Sequence, residues 1–123
     1  MKLSDALNLY KTLLEIRGTK FPAKVSYAID KNLNRLVKVV SEFEMEKFKL
    51  MMKLTSGNFE PETGEPIFTE ESKKEFESTL LEMTSKEIEF EVHKVNFAEF
   101  KNAELSAEDI QALREYGMLL EVL

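Results

Sequence analysis

The sequence predicts an α+β fold that is mostly helical. One long central helix is joined by two to three shorter helices and a small antiparallel sheet. Three observations carry this. A stretch from Pro22 to Lys53 runs for more than thirty residues without a helix breaker. Helical apolar spacing also recurs at Leu7 to Ile16, Phe76 to Met83 and Ile110 to Leu113. In one place, Glu87-Ile88-Glu89-Phe90-Glu91-Val92, the apolar period drops to two, as in a half-buried strand.

The first helix is read from Ser4, a candidate N-cap with Asp5 in the first turn, to a stop at Gly18. The second opens at Pro22, whose missing N–H costs nothing there, with Phe21 as an N-terminal staple. Its apolar positions Val25, Ile29, Leu36, Val40, Phe43, Leu50 and Leu54 keep helical spacing. At 1.5 Å per residue such a helix spans roughly 50 Å, more than a compact chain of this size can cover. Ile29, Leu36, Phe43 and Leu50 recur every seventh residue, but Asn32, Glu46 and Lys53 interrupt the companion seam. The stripe therefore suits a core helix touching two neighbours, and homo-oligomerisation is permitted without being required.

Residues 55–69 collect Gly57, Pro61, Gly64 and Pro66 and read as a loop turning near Thr63-Gly64. Phe59 and Ile67-Phe68 flank that turn, and a small hairpin or Ω-like excursion there would tuck its aromatic residues against a helix. Thr69 caps a third helix, with Phe76, Leu80 and Met83 on its apolar face and Leu81 widening it. The alternating run after it needs a strand partner from the loop or from the C-terminus, and His93-Lys94 interrupts the alternation. Ser106 opens a last helix that Gly117 ends. The tail 118–123 is too apolar for water and reads equally as more helix or as a second strand.

Composition bounds the function. The 123 residues suit a single domain, 1–123, with 43% hydrophobic and 33% charged residues and no cysteine. Thiolate zinc sites and disulfides are thereby excluded, and the fold holds by packing, as befits a reducing cytoplasm. No apolar run approaches the ~18 residues of a membrane span, and the N-terminus lacks the apolar block of a secretory signal. The net charge of −6 is uneven. Residues 1–53 hold 11 Lys+Arg against 6 Asp+Glu, and residues 54–123 hold 6 against 17. Either the halves complement each other in the fold, or two faces of opposite sign steer different partners.

No residue set specifies an enzyme. His93 is the only histidine and has no acidic or histidine partner at catalytic or ligating spacing. Glu87, Glu89 and Glu91 would share one strand face about 6.8 Å apart, which reads as an exposed acidic row that discourages aggregation. Glu60, Glu62 and Glu65 lack the ligand pattern of a calcium loop. No metal or cofactor is expected. Candidate partner-binding residues are Lys24, Tyr27, Lys31 and Arg35 along one helix face, the off-stripe Met45 and Met52, and the acidic row Glu87, Glu89 and Glu91. The basic face with Tyr27 could bind nucleic acid, but the pI near 5.0 and the acidic second half argue against it.

The block Phe21-Pro22-Ala23-Lys24-Val25-Ser26-Tyr27-Ala28-Ile29, followed by Lys31-Asn32-Leu33, resembles a family of short, uncharacterised phage and prophage proteins of Gram-positive bacteria. Those chains share the order of short helix, long charged helix, acidic loop, Glu-rich alternating stretch and short C-terminal helix. The resemblance implies a phage origin and a small accessory role, and it brings no catalytic residues. The expected function is a non-enzymatic phage protein that binds a host or phage protein in the host bacterial cytoplasm, modulating a host or defence component. The alternative is a structural or assembly part of the virion, and a nucleic-acid-binding accessory protein comes third.

Overall fold

The computed structural model describes residues 1–101 and 103–120. Helix α1 (Leu3–Ile16) places Ala6, Leu9, Leu13 and Ile16, spaced three and four apart, on one buried face. That face packs along α2 (Ala23–Thr55), the 33-residue helix expected from the unbroken stretch. Val25, Ala28, Ile29, Leu33 and Leu36 of α2 join the α1 face in one core with Val95, Phe100, Leu113, Met118 and Leu119. The core therefore sits on the first half of α2. Beyond Leu36, only Phe43 and Thr55 of this helix are buried.

Helix α3 (Glu70–Ser85) packs back on the second half of α2, and it has no buried residue of its own. Between them, residues 56–69 make the expected turn. Phe59 and Pro66 form an antiparallel bridge, and the rings of Phe68 and Phe76 lie 5.0 Å apart. Thr69 caps α3 through a reciprocal capping box with Ser72. One expectation fails here: Leu81, expected to widen the apolar face of α3, is exposed, as is Ile67 in the turn, although α3 packs on both α1 and α2.

Ser4 is not the cap of α1. The cap lies two residues earlier, at Lys2, whose side chain makes no capping hydrogen bond. The Leu3 N–H, an orphan donor of the first turn, is taken by the Lys86 carbonyl at 2.9 Å. Pro22 stands at the cap of α2 rather than inside its first turn, and Phe21 packs edge-on to Phe100. The first helix stops at Ile16, shortly before Gly18.

The expected antiparallel sheet is corrected. The only sheet among the described residues has two strands, β1 (Val95–Asn96) and β2 (Leu119–Leu120), and they run parallel. A 3₁₀ turn (Phe97–Phe100) and helix α4 (Ala107–Glu115) lie between them, so the chain returns in the same direction, as a crossover requires. Ser106 caps α4 through the Asp109 N–H. Gly117, at φ +79°, ends it: the Met118 N–H reaches Leu113 and the Gly117 N–H reaches Arg114, a Schellman closure that favours glycine. At Tyr116, burial is the main influence raising the phenol above its ordinary pKa; Glu115 and Asp5 add to it and a hydrogen bond with Asn8 opposes it. Residues 121–123 of the tail lie outside the described residues.

Candidate functional site

The alternating run Glu87–Val92 is extended; Glu87 makes a single antiparallel bridge with Lys2, and no strand among the described residues pairs with the rest of it. Ile88, Phe90 and Val92 turn toward the core and pack against it, while Glu87, Glu89 and Glu91 are exposed. The alternation in the sequence is thus real. What holds the segment is a set of side chains and chain ends instead of a ladder.

The central grip comes from Asn32, fully buried on α2. Its amide donates to the His93 carbonyl at 2.9 Å, and its oxygen accepts from the His93 N–H at 2.8 Å. One turn further along α2, Arg35 donates to the Glu91 carbonyl at 3.1 Å. At the other end, the Lys86 carbonyl accepts from Leu3, and the Ile88 N–H donates to the Met1 carbonyl at 2.8 Å. Successive peptide groups of an extended chain point to opposite edges. The bonds follow that rule: Glu91 and His93 face α2, whereas Lys86 and Ile88 face the residues before α1.

Phe90 and Val92 lie on this second edge, beyond Ile88, and no hydrogen bond among the described residues reaches their peptide groups. Past His93, the Val95 N–H, which by the same alternation belongs to the other edge, donates to Met118 at 2.8 Å. A groove of about 690 Å³ occupies this place, with Phe90, Val92, Met1 and Gly117 among its lining residues and Lys31 and Arg35 beside them. The segment therefore carries an edge that is bonded as far as the Ile88 N–H and open at Phe90 and Val92.

The basic residues expected on one face of α2 do come together here. Tyr27 stacks edge-on to His93, with ring centroids 5.6 Å apart, and the Lys31 ammonium lies 5.6 Å from the Tyr27 ring centroid. Lys24 reaches Glu99 at 3.6 Å, beside a hollow of about 430 Å³ that Tyr27, His93 and Lys94 also line. Glu89 and Glu91 line a further hollow with Arg35 and Lys38, and Glu87 pairs with the Met1 amino group at 3.0 Å. Opposite charges therefore alternate along the groove, and no single-sign field dominates it.

Met45 and Met52 are not part of this cluster. They lie on the far half of α2, Met45 about 15 Å along the axis from Arg35, at 60% and 37% exposure. Two residues that matter went unrecognised in the sequence. Asn32 interrupts an apolar seam, and a polar residue at a core position demands a partner. Phe48, exposed between the two methionines, shares their side of the helix.

Among the described residues no three histidine, aspartate or glutamate side chains gather to hold a metal, and no helix is long and apolar enough to cross a membrane. No protein-family model, curated protein or solved structure matches this chain.

Proposed function

We propose that this chain works by binding another protein, with no chemistry of its own, and that it does so by taking up an extended segment of that protein along Phe90–Val92. The observation that supports this reading is the open edge, whose peptide groups at Phe90 and Val92 lack partners among the described residues while the Ile88 N–H before them is bonded. An added strand supplies the missing hydrogen bonds, and its side chains fall on the same two faces as those of the receiving segment. One face would meet Glu89 and Glu91, and the other would continue the line of Phe90 and Val92. The segment it fits is therefore short, with basic residues alternating with apolar ones. Taken with the resemblance of the Pro22–Leu33 block, the bound protein is a host-cell protein and the chain a small phage accessory that modulates it. A second reading, a structural part of the virion, draws on the uncovered far half of α2.

The test is affinity capture from infected cells with the wild-type chain, Phe90→Pro and Glu89→Pro. Proline at 90 removes a donor and adds bulk on the open edge, whereas proline at 89 acts on the edge facing α2. The expected result is a captured protein lost with Phe90→Pro and kept with Glu89→Pro, both variants retaining the wild-type circular dichroism. Equal capture by Phe90→Pro overturns the edge as the binding site. Finding the chain in many copies in purified particles replaces the reading with the virion one.

A further inference from the structure

One side of α2 stays exposed along its length, although at its N-terminal end Tyr27 stacks on His93. Tyr27, Asp30, Asn34, Val37, Ser41, Met45, Phe48 and Met52 are all exposed, and at 100° per residue they occupy one continuous strip opposite the core. In its second half the strip turns apolar: Val37, Met45, Phe48 and Met52 are 47%, 60%, 54% and 37% exposed. Ser41, Met45, Phe48 and Met52 follow one another at steps of four, three and four, the spacing of a two-helix seam. This is the reverse side of the helix from the core stripe through Ile29, Leu36 and Phe43.

We propose that the occupant is a second copy of this chain, its α2 running antiparallel about a two-fold axis between Glu46 and Lys47. In that register Met45 faces Phe48 of the second copy and Ser41 faces Met52, each contact occurring twice. Glu42 and Lys49 flank the seam on one side, seven residues apart, so each Glu42 meets a Lys49 across the axis. The same register carries the acidic loop of Glu60 and Glu62 past the end of one α2 toward Lys38 and Lys31 of the other. The opposed charges of the two halves of the sequence then meet between copies. A parallel pair would instead set Lys38 against Lys38 and bring the two basic halves side by side, which like charge opposes.

The wild-type chain is expected to sediment as a dimer in the micromolar range, and Phe48→Glu as a monomer with unchanged helix content. Lys49→Glu and Glu42→Lys should each weaken the dimer, by about tenfold or more, and the double exchange should restore it. Because the chain has no cysteine, introduced ones report the register directly. Ser41→Cys together with Met52→Cys should oxidise to a covalent dimer, while neither single variant does. A wild-type chain that stays monomeric throughout that range overturns the proposal. So does a Ser41→Cys variant that links to itself, which would mean a parallel pair.

Discussion

At the scale of single residues, the Asn32 amide takes both peptide groups of His93, which lies 61 residues further along the chain. Leucine at this position would suit the surrounding apolar seam, yet it would strand an N–H and a carbonyl in a half-buried site. The lost pair outweighs the apolar gain, since each unsatisfied group costs about 1–3 kcal/mol. Asn32→Leu is therefore expected to lower the unfolding free energy by about 2–4 kcal/mol, read as a shifted urea midpoint at constant slope. An unchanged or higher urea midpoint for Asn32→Leu would contradict this. The sequence showed Asn32 as an interruption but could not show its partner, because a carbonyl and an N–H leave no mark on residue identity.

Among the elements, α2, α3 and α4 were legible because each is bounded by its own chemistry: Pro22 before α2, Thr69 before α3, Ser106 before α4 and Gly117 after it. The extended segment was legible as extended, from its period of two. Its neighbours were not, since alternation states which side is buried and says nothing of what the edges meet. For the same reason the sheet direction was misread: only the crossover through α4 makes β1 and β2 parallel. Helix α3 depends on its cap more than the others do, having no buried residue to hold it. Thr69→Ala should cost about 1 kcal/mol. The loss is expected to appear as faster amide exchange across α3, with α1 unaffected; uniform acceleration in both helices would show that the arm and core open together.

Over the whole molecule, the core gathers on the first half of α2 and leaves the second half with α3 as an arm. The basic candidate residues were found from sequence because they share one helical face, and the fold brings His93 and Lys94 to them. Met45 and Met52 were also found, as residues off the core stripe, but their grouping with Phe48 needed the helix to be seen with its neighbours in place. The charge imbalance between the halves admitted two readings. Within one copy, Met1 pairs with Glu87 and Lys24 with Glu99, each joining the basic half of the sequence to the acidic one.

The fastening of residues 86–93 also sets an order in time. The α2–α3 arm closes through a short turn, whereas the clasp at Asn32 joins residues 61 apart and that at Met1 joins residues 86 apart. Closing longer loops costs more entropy, and contacts distant in sequence form slowly. The helices should therefore assemble first, and the extended segment should settle onto them last. Asn32→Ala is then expected to speed unfolding while leaving the refolding arm of the chevron nearly unchanged. Slowed refolding would mean that the clasp is already made at the barrier. A segment that settles last is also the first to lift, so the edge offered to another protein belongs to the part of the chain that opens most often.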